Sequence, residues 1–371
     1  MEFQQCVSII GAGPAGFALA ADLLSHGKNV LLYSHPTHLR HANSVREKGC
    51  LQASGAMEGF ADIPITTDMT EVIAFSQVVF LTVPSTGQET IIQEMKGYDL
   101  RQHILIAVPG NLLSLIKDAH MEVGNILETN LSPYSCRMEE GQLLVLGRKK
   151  RIMIAALRND HPSGNSAGPG FRDVIQDLFP GVRLGWCSSV VEVCLSNING
   201  VFHPLMLLMN AGRIESTGGD FLLYRDGLTP AVAAAMLGVD QVRLEIGAAL
   251  GLQLESTLDV SNACYDQAFT SLVTLAQRSP PHNRLRAPAG FENRNISEDV
   301  PDVLVPWCAL AGALGVDASP IAAVIVLAEM ATGESFMETG RNLRKLQLDT
   351  VTRRELVARF SPPTTQHESR L

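Results

Sequence analysis

The stretch that most limits what this chain can become is Cys6 to Gly16, CVSIIGAGPAG, where an apolar run is cut short by glycines. Val7 to Ile10 read as a buried strand, and Gly11, Gly13 and Gly16 follow at the G-x-G-x-x-G spacing. Pro14 is pre-set for a first helical turn, and the Ala-rich AGFALAADLL carries a helix on to a stop at Gly27. Strand, tight turn and helix in this order make a cradle for a dinucleotide pyrophosphate. Gly11 permits the turn, Gly13 lets the backbone approach the phosphates, and Gly16 allows close helix-to-strand packing, while the helix N-terminus offers N–H groups and positive dipole. Gly11, Ala12, Gly13, Pro14, Ala15 and Gly16 are therefore the expected cofactor-binding loop, with an incidental βα turn as the alternative.

At 371 residues and 46% hydrophobic composition the chain can bury a large core and form two domains. A net charge of −9 argues against nucleic acid as a partner. The basic cluster Arg148 to Arg151 reads as a solvated turn between two strands. Seven cysteines, an odd number with no C-x-x-C pair, support neither a disulfide framework nor a zinc site and fit a reduced, cytoplasmic compartment. The first apolar run is already a strand of the fold with no charged segment ahead of it, so no secretory leader is expected. Apolar stretches such as Ile321 to Leu327 fall short of the roughly 18 residues of a membrane span. No membrane is expected among the partners.

Asn29 to Ser34 reads as the second strand, and its end selects the cofactor. A carboxylate there would hold a ribose 2′-OH. This chain has Ser34, His35 and Pro36, with Arg40 just beyond, so Ser34 and Arg40 point to NADP(H) as preferred cofactor, with NAD(H) also compatible. Val78 to Pro84 and His103 to Gly110 read as central parallel strands buried on both faces. Ligands of such sheets lie beyond the carboxyl ends of the strands, so Pro84, Ser85, Pro109, Gly110 and Asn111 are expected to line the cofactor crevice. Asn125 to Thr129, Leu143 to Leu146 and Ile152 to Leu157 supply further strands, and Arg158 to Gly170 reads as a loop before a helix over Phe171 to Leu178. From Ser188 helical periodicity takes over: Val190 to Glu215, Pro230 to Leu250, Leu258 to Gln277, Val300 to Leu314, and a helix around Ile321 to Ala331. The expectation is an α/β domain over residues 1–186 followed by an all-α domain over 187–371. Arg278 to Glu292 is a connection long enough to be an active-site element, and the tail from Ser361 is expected to fray.

Two segments could carry chemistry. In LSNINGVFHPLM, Asn199 and His203 are four apart and share a helix face, and Pro204 removes one backbone donor there. His203 reads either as a satisfied core histidine beside a kink or as a general acid/base at the domain junction. In NRNISEDV, Asp299 or Ser297 could simply cap a helix and Arg294 could simply be exposed. The functional alternative makes Arg294 a fork for a substrate carboxylate and Asp299 the partner of the histidine.

GAGPAG, FLTVPSTGQ, AVPG, ETNLSPYSCR, SNINGVFHPLMLLMNAGRIES, NRNISEDV and TGRNLRKLQL occur in that order along nearly the whole chain. In this array the sequence resembles the octopine/nopaline (opine) dehydrogenase family. The resemblance implies a Rossmann-type parallel sheet domain with a C-terminal helical domain in a 6-phosphogluconate-dehydrogenase-like arrangement. It also implies NAD(P)H-dependent reductive condensation of an amino acid with a 2-oxo acid, pyruvate first and 2-oxoglutarate second. His203 becomes the implied catalytic acid/base, with Arg294 and Asp299 its implied companions. Glu128 and Thr129, with Asn199, are implied to line the amino-acid pocket, where Glu128 could face a basic side chain. The expected partners are these small molecules, with a homodimer left open as the assembly. The alternatives are a single-substrate reductase of the ketopantoate type and a non-catalytic NADP(H)-binding sensor.

Overall fold

Residues 5–116, 121–157 and 169–362 are described by the computed structural model. The loop expected from Arg158 lies almost wholly outside the described residues, as does all of the tail beyond residue 362. Strands occur at β1 (Cys6–Ile10), β2 (Asn29–Tyr33), β3 (Leu51–Gly55), β4 (Gly59–Ala61), β5 (Ile65–Thr66), β6 (Val78–Leu81), β7 (Leu100–Ala107), β8 (Val123–Thr129), β9 (Tyr134–Glu139), β10 (Gln142–Arg148), β11 (Arg151–Ala156) and β12 (Arg183–Trp186). Eight form one sheet in the order β12-β11-β8-β7-β6-β1-β2-β5. From β8 to β5 all pairs are parallel, as the continuous apolar runs of β1, β6 and β7 require, and helices cover these strands. β11 breaks the pattern by pairing antiparallel with β8, and β12 continues parallel to β11.

The order reverses at β1, between β2 and β6, and the glycine loop leaves the sheet at this switch point. A second sheet, β4-β3-β10-β9, is not expected from the sequence, where Leu143 to Leu146 reads as a further strand without a separate sheet to hold it. It rests on the first helix, Pro14–Ser25, through Asp22. That buried carboxylate accepts from the Tyr134 hydroxyl (2.5 Å) and from Arg148 Nη2 (2.7 Å).

From Val190 the chain is helical, but the long helices expected are interrupted. Val190 to Glu215 is three helices, Val190–Leu195, Asn199–Leu208 and Ala211–Thr217. Asn197 Oδ1 accepts from the Asn199 N–H (3.2 Å), and Asn210 Nδ2 donates to Met206 O (2.9 Å), so each asparagine offers the backbone a rival to the helical ladder. Leu258 to Gln277 is likewise two helices, Thr257–Tyr265 and Leu272–Arg278, the first ended by Asp266 in the left-handed region and the second begun by the Ser271 cap. Val190–Leu208 has the length and hydropathy of a membrane span, against the expectation from sequence. It is 83% buried inside the fold and is the core of the helical half.

Candidate active site

Gly11 has φ +123°, and a Cβ there would stand 2.7 Å from Thr82 Oγ1; a Cβ at Gly16 would overlap the Gly11 carbonyl oxygen. These two glycines and Ala12 are buried and serve packing, whereas Gly13, Pro14 and Ala15 remain accessible. Around Gly13 no atom lies within 4 Å of where a Cβ would be. The helix Pro14–Ser25 starts there with no side-chain cap, so its first N–H groups face open space. That cradle fits a pyrophosphate.

At the end of β2, the Ser34 hydroxyl donates to His38 O (3.1 Å), and Arg40 is exposed at the first position of the helix Arg40–Lys48. A carboxylate does lie nearby, supplied by Glu94 of the helix Ser85–Met95. It is engaged by the Tyr33 hydroxyl (2.9 Å) and by His35 Nε2 (2.6 Å).

His203 and Asn199 lie four apart on the helix Asn199–Leu208, as their spacing requires. Gly200 on that helix lets Val303 and Trp307 approach to 2.7 and 3.0 Å of where its Cβ would be, which draws the segment Val300–Leu304 close. One turn before Val303, Asp299 meets His203: Nδ1 and Oδ2 are 2.7 Å apart. The pair is 18% and 7% exposed. With Nδ1–H donated to the carboxylate, Nε2 is the nitrogen left to exchange a proton with a ligand. Asn199 is half-buried, with its backbone N–H on Asn197 Oδ1.

Arg294 is 69% exposed and only loosely held, its Nη1 donating to Glu298 Oε2 at 3.4 Å. Burial and the neighbouring Asp299 push the Glu298 carboxyl above the usual range, and Arg294 opposes the shift. Glu298 Oε1 accepts from the Ser85 N–H (3.0 Å), and Asp302 Oδ2 accepts from the Ser85 hydroxyl (2.6 Å). Ser85 is therefore a buried joint between the two halves and not a lining of an open cofactor crevice, correcting the sequence expectation. Pro84 beside it is exposed.

Gly110 and Asn111 are similarly enclosed. Asn111 Oδ1 accepts from Asn197 Nδ2 (2.8 Å), and the Pro109 carbonyl accepts from Gln88 Nε2 (2.9 Å). Above all stands Arg341, which sequence reasoning missed. It is 0% exposed, with Nη1 donating to Gly110 O (2.9 Å) and to Asn111 O, Nη2 donating to Gln88 Oε1 (2.7 Å), and Nε lying 3.3 Å from Asp302 Oδ1. It ties the turns after β6 and β7 to the helical half. The signal available was TGRN itself: Gly340 packs so tightly that a Cβ would stand 2.5 Å from Pro301 O.

Glu128 and Thr129 do not face a pocket. Both are 0% exposed. Glu128 accepts from the Leu112 N–H (2.8 Å), the Ser114 N–H (2.9 Å) and the Ser114 hydroxyl, bracing the turn after β7 from beneath; a Cβ at Gly110 would overlap it. Burial raises its pKa. Thr129 Oγ1 donates to Leu131 O (3.1 Å). Buried and engaged in this way, Glu128 offers no carboxylate to a basic substrate side chain.

The basic cluster is also not a solvated turn. Arg148 is drawn to Asp22 and Arg151 to Glu255 (3.0 Å), and Lys149 is half-buried; Lys150 alone is exposed.

Comparison with known proteins agrees with this architecture. Residues 186–332 match the alpha-helical domain of NAD/NADP octopine/nopaline dehydrogenases, and residues 6–137 match the N-terminus of NAD-dependent glycerol-3-phosphate dehydrogenases. Vitopine synthase of Allorhizobium ampelinum is 30% identical over 92% of this chain and 95% of its own. Protein ocs of Agrobacterium tumefaciens is 29% identical with the same coverage. The structure of an octopine dehydrogenase with NADH and L-arginine superposes with a TM-score of 0.72 at 18% identity, covering 95% of this chain and 98% of that one.

Proposed function

Since the chain belongs to the octopine/nopaline dehydrogenase family, NAD(P)-dependent oxidoreductases acting on CH–NH bonds, we propose that His203, Asp299 and Arg294 carry its reaction. That reaction is the reductive condensation of an amino acid with a 2-oxo acid. The observation that carries the assignment is the 2.7 Å contact of His203 Nδ1 with Asp299, which leaves Nε2 free beside an exposed guanidinium segment.

The reduced nicotinamide, held by its pyrophosphate at Gly13, Pro14 and Ala15, supplies the hydride when bound. Arg294, free to swing, takes the carboxylate of the 2-oxo acid as a fork. The substrate amine adds to the carbonyl carbon. Protonated His203 gives its Nε2–H proton to the carbinolamine oxygen, so that the C–O bond breaks and water leaves, and the resulting protonated imine would take hydride at carbon to give the neutral secondary amine. Asp299 holds the imidazole in the Nδ1–H tautomer and stabilises it when charged. Glu298 carries Arg294 and, through Ser85, registers this segment against the nucleotide loop.

Pyruvate is the first 2-oxo acid of this reading and 2-oxoglutarate the second. NADP(H) is the preferred cofactor, supported by the exposed Arg40 and by the engagement of Glu94 with Tyr33 and His35. The test is NADPH and NADH oxidation with pyruvate or 2-oxoglutarate, with and without L-arginine, L-lysine, L-leucine or L-glutamate. Amine-dependent oxidation is expected. Amine-independent oxidation would make the protein a single-substrate reductase, and cofactor binding without turnover a sensor.

A further inference from the structure

Resting on the condensation reaction above, we infer that Lys149 holds the carboxylate of the amino acid, while Arg294 holds that of the 2-oxo acid. Both substrates are acids, so the complex that reacts carries two carboxylates, and one guanidinium serves only one of them in fork geometry. A second cation is needed near His203.

Lys149 has the required features. It lies in the turn between β10 and β11, half-buried. Its Nζ donates to Ser132 O (2.9 Å) and stands 5.8 Å from the centre of the Tyr265 ring. Its neighbours Arg148 and Arg151 are each matched with a carboxylate at 2.7 and 2.9 Å, whereas Lys149 has no carboxylate partner among the described residues. An ammonium has three donors, and taking it out of water without a counter-ion is costly. A carboxylate ligand supplies that counter-ion.

The turn is also aimed at the right place. Gly147, without a Cβ, lets Pro281 and Tyr265 come within 2.9 Å of where one would be, seating this end of the small sheet against the helical half. A continuous row of rings then leads from Lys149 to the catalytic helix. Tyr265 and His282 are 5.5 Å apart, His282 and Tyr224 5.1 Å, and Tyr224 and Phe202 5.9 Å; Phe202 precedes His203. Electrostatics agree with this proximity. Burial, Lys149 and His203 all depress His282, and Lys149 and Arg294 both act on the Cys136 thiol, which burial pushes up to about 12. Both cations thus act on one thiol, and Tyr265, His282 and Tyr224 occupy the space between Lys149 and the helix of His203.

The experiment compares the unmodified enzyme with Lys149→Met, Lys149→Gln and Lys149→Arg. The substrates are pyruvate, whichever L-amino acid of the panel has the highest kcat/KM, and the amine that amino acid becomes without its carboxylate (agmatine for L-arginine, isoamylamine for L-leucine). In Lys149→Met the KM for the amino acid should rise about 10- to 100-fold, the worth of a hydrogen bond to a charged group. KM for pyruvate and Kd for NADPH should stay within twofold of the unmodified enzyme, and kcat/KM for the carboxylate-free amine should not change. Lys149→Arg should recover most of the loss. A purely structural lysine would affect amino acid and amine alike, and that result would overturn the inference. So would a rise in the pyruvate KM alone, or an unchanged amino-acid KM. Where Lys149→Met does not fold, Lys149→Gln, whose amide still donates to Ser132, gives the same comparison. If the unmodified enzyme shows no amine-dependent oxidation at all, the condensation reading fails and this inference with it; if it does and the variants match it, only the assignment of Lys149 fails.

Discussion

Replacing Arg341 by methionine keeps most of the stem volume and removes every bond of the buried guanidinium. Asp302, 6% exposed, then loses its cation and among the described residues keeps the Ser85 hydroxyl, while the Asn111 carbonyl loses its donor and the Gly110 carbonyl retains the Leu113 N–H (3.2 Å). Breaking a buried ion pair from one side costs about 3–5 kcal/mol, and a stranded buried carbonyl adds about 1–3 kcal/mol where no water reaches it. Against a total stability of about 5–15 kcal/mol, Arg341→Met should remove at least about 4 kcal/mol. Urea unfolding followed by the fluorescence of Trp186 and Trp307 reads the loss. The pairing also makes a second claim: Asp302→Asn in the Arg341→Met background should cost less than the two single losses summed, by about 1–3 kcal/mol, because the uncompensated charge is then gone. Because the clamp sets the turns after β6 and β7, surviving protein should bind NADPH more weakly. A loss below about 1 kcal/mol, or strict additivity with Asp302→Asn, would refute the clamp.

Further outcomes follow from the same geometry. Asp299→Asn should lower kcat by more than about a hundredfold, within the range of general acid/base contributions, with NADPH affinity measured by fluorescence titration unchanged. Gly16→Ala puts a methyl group on the Gly11 carbonyl oxygen, so NADPH binding should be lost and the urea midpoint should fall by the equivalent of about 1–3 kcal/mol, as for other overpacking. His282 is held well below its ordinary pKa, at about 3. The unfolded chain therefore binds a proton between pH 6.5 and about 3 that the folded one does not, and stability should be complete above pH 6.5 and decline as pH falls through that window. The corresponding slope in urea midpoints should flatten in His282→Gln.

What was legible in the sequence was local or strongly periodic. The glycine loop is determined within eleven residues, and β1, β6 and β7 announce themselves as runs apolar on both faces. The spacing of Asn199 and His203 needed only that the segment be helical. What was not legible depended on partners far along the chain. β3 is a short strand whose neighbour β10 lies some ninety residues on, and neither carries an alternation strong enough to separate it from the main sheet. Glu128 in ILET cannot be told from an outward-facing acid until Leu112 and Ser114 are seen to donate to it. Arg341 and Lys149 sit in basic, polar-looking stretches, RNLRK and RKKR, whose default reading is solvent. Only the packing of Gly340 and Gly147 against distant backbone and rings turns them inward. The kinship array placed His203, Arg294 and Asp299 in one reaction, but only the fold supplies the distance between the histidine and its carboxylate.

The central claim is that His203, held through Nδ1 by Asp299, performs the proton transfers of an amine-dependent reduction. It is tested most directly by purified His203→Ala, assayed for NADPH oxidation with pyruvate and the amino acid preferred by the parent, alongside NADPH Kd. The expected result is a fall in kcat of more than about a hundredfold with Kd within twofold of the parent. Turnover equal to the parent's at the same cofactor affinity would contradict it.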